Sequence, residues 1–136
     1  MEINLIQDEI IEEFTSFDDW MDRYSLRIDY GNGLDAFPQE DKTDQNLIDG
    51  CQSKVWFTAE MQDGKVIYKG DSDAILVKGI VALLIRVLSG HTPEEIVNTQ
   101  LYFIDEIQLR EHLSPTRSNG LNAMLRRMIE YAMLYK

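Results

Sequence analysis

Ile3, Ile6, Ile10, Ile11 and Phe14 recur at three- and four-residue spacing with acids between them, which predicts an amphipathic first helix. Ser16 stands ahead of Phe17-Asp18-Asp19-Trp20, with Asp19 three residues on, a capping arrangement for a second helix. The expected core face of that helix is Phe17, Trp20, Met21, Tyr24 and Ile28, and Gly31 or Gly33 ends it. A long polar loop runs from Asn32 to Gln45. Two β-favouring runs, "KVWFTAEM" and "VIYKG", then flank Asp63-Gly64, a strong hairpin signal. Val55, Phe57 and Ala59 share one face, Trp56 and Thr58 the other. Asn46-Leu47-Ile48 is expected to add a third short strand.

"GDSDA" opens a helix from about Ala74 to Ser89, with Asp71, Ser72 or Asp73 available to cap it. Its residues are apolar almost all round, so it is expected to be the central buried helix, ended by Gly90. Thr92 then caps a further helix, with Pro93 first and Glu95 completing a capping box. Tyr102 to Leu113 holds one short helix. The last helix has Ser114 as cap and Pro115 first; Leu121, Leu125 and Met128 face the core, Met124 and Ala132 beside them. Gly120 inside it is locally unfavourable, which suggests close backbone approach. Helices, a hairpin, then helices make one α+β domain over residues 1–136. The expected architecture is a small antiparallel sheet of about three strands covered by helices.

Composition narrows the function classes. The chain of 136 residues is 44% hydrophobic and 27% charged, ordinary for a globular domain that buries a real core. Its net charge is −11, and residues 1–45 carry 13 acids against 3 bases. That balance argues against nucleic acid and against an anionic membrane surface. The acidic third reads either as a solvated helix face or as steering toward a basic partner. No apolar run reaches the roughly 18 residues of a membrane span. The acidic start does not read as a targeting peptide. One cysteine allows no internal disulfide, so a reducing, cytoplasmic setting is expected.

Candidate chemistry is sparse. One cysteine and two histidines, His91 and His112, show no metal-ligand spacing, so no bound metal is expected. Neither common Gly-rich phosphate loop is present. No motif joins either histidine to Cys51 as a hydrolytic pair. Cys51 lies in "DGCQSKVW", after a glycine and ahead of an apolar run. It reads as a small buried hydrophobe or as a thiol that protrudes from a turn. A thiol with no second cysteine, base or metal is better suited to carrying a group than to hydrolysing one.

"NLIDGCQSKVWF", "GDSDAILVKGIVALL", "TPEEIV" and "LSPTRSNGLNAML" occur in that order. Together they resemble the SufE family of cysteine desulfuration proteins, which includes CsdE. The resemblance implies a fold like that of the scaffold IscU. It implies that Cys51 accepts persulfide sulfur from a SufS-like cysteine desulfurase, stimulates that enzyme and passes the sulfur to a SufBCD-like scaffold. Pyridoxal phosphate would belong to the desulfurase, and no cofactor is expected on this chain, a monomer or weak homodimer without stand-alone activity. Gly50, Gln52, Ser53, Asp73 and Arg117 match positions around the family's cysteine loop. Trp56 reads as sheet packing. Lys42 or Thr43 stands where relatives often carry arginine. The alternative is a non-catalytic adapter of a desulfurase or other partner, with Cys51 inert.

Overall fold

The computed structural model describes residues 2–48, 53–110 and 115–136, with side chains from residue 118 onward in the last of these. The elements are α1 (Glu2–Thr15), α2 (Trp20–Asn32), a single 3-10 turn (Gln39–Asp41), β1 (Val55–Gln62), β2 (Lys65–Ser72), α3 (Ile75–Leu88), α4 (Pro93–Asn98), α5 (Phe103–Glu106) and α6 (Pro115–Tyr135). A two-stranded antiparallel sheet packs against helices, an α+β arrangement.

The hairpin turns where the sequence places it. Gln62 pairs with Lys65, and Asp63 and Gly64 both take positive φ, at 51° and 79°. That is the turn geometry whose twist matches the strands. Val55 and Phe57 point inward and are fully buried. The expected third strand shrinks to a single bridge, Leu47 to Trp56, flanked by Phe57 N–H to Asn46 O (3.0 Å) and Ile48 N–H to Val55 O (2.8 Å). A turn through Thr43–Asn46 precedes it, so among the described residues the pairing runs only from Asn46 O to Ile48. On the other edge His91, itself buried, bridges Val66 through its backbone.

α3 is the central helix, with Val77, Gly79 to Leu84, Val87 and Leu88 buried. None of the three expected residues caps its first turn. Ser72 Oγ accepts the Ala74 N–H (3.2 Å) one step before the helix, and Asp73 turns instead to Lys54. The Thr92–Glu95 capping box forms as the sequence requires. α6 buries Leu121, Met124, Met128 and Ala132, with Leu125 half-buried against the core. The buried Tyr68 hydroxyl donates to Met128 O (2.6 Å), tying α6 to the sheet.

α2 departs from the expected pattern. Its cap is Asp19, whose side chain accepts the Met21 N–H (2.9 Å); Ser16 Oγ instead closes α1 on Glu13 O. Its buried residues are Arg27 and Gly31, not the aromatic stripe. Phe17 and Met21 are 37% and 68% exposed, while Trp20, Tyr24 and Ile28 are half-buried. Closeness decides the face. A Cβ on Gly31 would lie 3.0 Å from Gly79 N, so two glycines bring the backbones of α2 and α3 almost into contact. Guanidinium groups cover the rings instead, Arg23 over Trp20 (5.2 Å) and Arg27 over Tyr24 (5.3 Å).

Candidate functional site

Asp49, Gly50, Cys51 and Gln52 lie outside the described residues, and so does the Arg117 side chain. His112 and the proposed cap Ser114 lie outside them as well. The anchors on either side of the Cys51 stretch are described, and they come from four elements.

The incoming arm ends at Ile48, buried and bonded to Val55 O. Asn46 donates its side-chain N–H to Asp41 O (2.8 Å), securing the turn before the arm. Arg127 of α6 reaches across with Nη1 to Gln45 O (3.4 Å) and Nη2 to Leu47 O (3.2 Å). Its guanidinium also lies over the Tyr131 ring at 6.0 Å. One and two turns further along α6, the Tyr131 hydroxyl donates to Phe57 O (3.3 Å) and the Tyr135 hydroxyl to Ala59 O (3.1 Å). Arg127, Tyr131 and Tyr135 thus form a row of donors along carbonyls of the arm and β1.

The outgoing arm begins at Ser53, half-buried, and Lys54. Lys54 N–H donates to Asp73 Oδ1 (3.0 Å) and Asp73 N–H donates to Lys54 O (3.2 Å). This reciprocal pair fixes the residue three places after Cys51 to the link between β2 and α3. Asp73 was expected to cap α3, to hold the cysteine loop, or to do both; α3 has no side-chain cap, and the Asp73 carboxylate accepts the Lys54 N–H.

Asp71, two residues earlier, ties the same region to the long loop. Its carboxylate contacts Lys42 Nζ (3.2 Å) and Lys78 Nζ (3.3 Å) and accepts the Ser72 N–H (2.8 Å). Lys42 also sits 5.2 Å from the Trp56 ring centroid. Burial works to raise the Asp71 pKa, but the Ser72 N–H, Lys42 and Lys78 outweigh it and hold the carboxyl below its ordinary value. A depressed pKa adds stability above the unfolded carboxylate value, about 3.9, and loses it as pH falls through the folded value. Asp71→Asn is therefore expected to lower the urea midpoint near pH 6 and to narrow its difference from the wild type toward pH 3. Equal separation at both pH values would contradict this linkage.

Four anchors were not picked out from the sequence: Asn46, Asp71, Lys42 as a clamp, and Arg127. Asn46 and Lys42 stand in the polar segment before the cysteine, a weak signal. Arg127 had none, since an arginine on a helix face looks the same whether it is solvated or reaches across to another segment. Among the described residues, no three His, Cys, Asp or Glu side chains gather as a metal site, and no helix is long and apolar enough to cross a membrane.

Residues 8–132 match the family model described as SufE, an Fe-S metabolism associated domain. An uncharacterized SufE-like protein of Synechocystis sp. is 42% identical over 128 residues, covering 94% of this chain and 80% of that protein. A second uncharacterized SufE-like protein, from Rhizobium meliloti, is 38% identical over 126 residues, covering 89% and 90%. The solution structure of a hypothetical protein from Thermus thermophilus superposes with a TM-score of 0.78 at 23% identity, covering 96% and 95%, a likeness of fold. A SufE match across nearly the whole chain and two relatives near 40% identity place this protein in the SufE family, associated with Fe-S metabolism.

Proposed function

We propose that the chain is a sulfur carrier: it accepts persulfide sulfur on Cys51 from a cysteine desulfurase, speeds that enzyme's turnover and hands the sulfur on for iron–sulfur cluster assembly. The observation that carries the reading is the SufE match over residues 8–132, within which Cys51 is the only cysteine of the chain. The anchored arms support it. Both ends of a short nucleophile-bearing stretch are tied to different elements, so one thiol can be presented to a docked protein without help from a second catalytic group.

The step is thiol exchange. The Cys51 thiolate attacks the outer sulfur of the desulfurase persulfide. The bond between the desulfurase Sγ and that sulfur breaks, and a bond from it to Cys51 Sγ forms. The outer sulfur keeps its proton and the desulfurase cysteine leaves as a thiolate, so no oxidant is consumed. Docking makes the encounter effectively unimolecular. Gly50, Gln52 and Ser53 shape the turn, Asp73 holds its outgoing arm, and Arg117 favours the persulfide anion. A reducing compartment suits such a thiol, and a SufBCD-like scaffold is the recipient.

The test is an intact mass after incubation with a SufS-type desulfurase and free cysteine. The expected gain is roughly 32 Da, one sulfur atom, reversed by reductant and absent in Cys51→Ser. No gain in wild type, together with unchanged desulfurase turnover in Cys51→Ser, would leave only an adapter with an inert cysteine.

A further inference from the structure

α2 has no basic residue in its last turn, and its C-terminal end borders a cleft of about 360 Å³ shared with α3. The lining joins two carboxylates, Asp29 and Asp35, to the apolar side chains of Leu34, Ala82 and Ile85. Both carboxylates are exposed, and neither makes an ion pair or side-chain hydrogen bond among the described residues. The cation in the lining, Arg86, is already held by Glu9 (3.1 Å) and Glu13 (2.8 Å) and lies over the Tyr30 ring. A helix C-terminus carries about half a unit of negative charge, and here no base of its own offsets it. Beyond Arg86, two adjoining clefts continue along α1 to Glu12 and Ser16. The result is a groove with an apolar lining and free negative charge, inside the third of the chain that holds 13 acids against 3 bases.

We propose that this cleft is a docking point for a partner protein, and that its occupant is a lysine or arginine side chain presented on an apolar segment. Such a side chain has the two parts that the cleft calls for. Its aliphatic stem covers Leu34 and Ile85, and its charged head meets Asp29, Asp35 and the carbonyl end of α2. A small cation would satisfy the carboxylates and leave the apolar lining in water. Phosphates of nucleic acid or of an anionic membrane would be repelled. Ile85 is ten residues past Ile75, the first residue of α3, and so about 15 Å along the helix from the end where Asp73 holds Lys54. The docking point therefore lies apart from the described anchors of the Cys51 stretch. The inference needs no chemistry at Cys51. It assigns the acidic third of the chain to steering and holding a basic partner.

The test titrates the full chain with a leucine–lysine amphipathic peptide, beside a glycine–lysine peptide of equal charge and a leucine–glutamate peptide. The leucine–lysine peptide is expected to move the amide NMR signals of Gly33, Leu34 and Ile85 and to bind about tenfold more tightly than the glycine–lysine peptide. The leucine–glutamate peptide should not bind. Asp29→Asn combined with Asp35→Asn should weaken the leucine–lysine complex about three- to tenfold and make its salt dependence shallower. Asp18→Asn combined with Asp63→Asn removes the same charge from exposed positions outside the cleft and should keep the wild-type affinity.

Equal affinity for the two lysine peptides would mean attraction by net charge alone and overturns the cleft. So do signal changes centred elsewhere on the chain, or wild-type affinity in the Asp29 and Asp35 double variant. An equal loss in both double variants overturns it as well. Neither the probes nor the readout involves Cys51, so the sulfur-carrier reading stands or falls by its own mass measurement.

Discussion

Gly79→Ala is expected to destabilise the protein by about 2 kcal/mol, even though alanine is the better helix former. The propensity gain is about 1 kcal/mol. Against it stands overpacking of about 3 kcal/mol. A Cβ at Gly79 would fall inside van der Waals contact with the carbonyl oxygen and Cγ of Arg27, and 2.9 Å from the Arg27 carbonyl carbon. Backbone atoms of a neighbouring helix cannot rotate away, so α2 must shift bodily. That shift would pull Arg27 from its buried berth and disturb Tyr30, which donates to Glu13 (2.6 Å) within the cluster formed with Arg86 of α3. A thermal or urea melt reads the result, with a Tm fall of several degrees expected. Position is the control. Gly31→Ala places its Cβ 3.0 Å from Gly79 N and should cost less, while Gly33→Ala meets nothing nearer than 3.5 Å and should be close to neutral. An unchanged melt for Gly79→Ala, or Gly33→Ala as the worst of the three, would contradict the close-approach account.

The same contact explains where the sequence could and could not be read. α1, the hairpin, α3 and the Thr92 capping box all follow from patterns local in the chain, and they form. α2 also forms, but hydrophobic periodicity gives the wrong face. Periodicity ranks positions by the area they would bury; it has no term for how closely two glycines let backbones approach. Phe17 and Met21 score as core and stand exposed, while Gly31 scores as a helix stop and is the packing surface. The candidate site divides the same way. Asp73 stands out in the sequence because a short motif carries it; Cys51 stands out the same way and lies outside the described residues. Arg127 acts on Leu47, 80 residues away in sequence, and Lys42 acts on Asp71 across the hairpin. Neither pairing leaves a trace in spacing, since side chains that meet only through the fold follow no period.

Asp73 is where the motif and the geometry make one joint prediction. Its carboxylate accepts the Lys54 N–H, and its own N–H donates to Lys54 O. Only the first of these bonds depends on the side chain. Asp73→Ala removes it and leaves the Lys54 N–H, which is exposed, to water. The outgoing arm then hangs on one backbone bond and on the Val55–Ser72 pairing that begins the ladder. Hydrogen bonds to charged groups contribute about 1.5–3 kcal/mol, and the low end applies at an exposed position. Cys51 alkylation in Asp73→Ala is therefore expected to rise about tenfold. Asp73→Asn keeps an acceptor oxygen in place and loses only the charge, so its rise should stay within about threefold. Global stability should fall by no more than that bond's own contribution in Asp73→Ala and by less in Asp73→Asn, because the pair holds one arm and buries no apolar surface. The order alanine above asparagine above wild type identifies the acceptor as the cause. If asparagine equals alanine, the loss of the negative charge is what matters and the bond to Lys54 is incidental. Combining Asp73→Ala with Arg127→Ala frees both arms through separate contacts. Their effects on alkylation should multiply if each arm opens independently and fall short of the product if either arm alone controls Cys51.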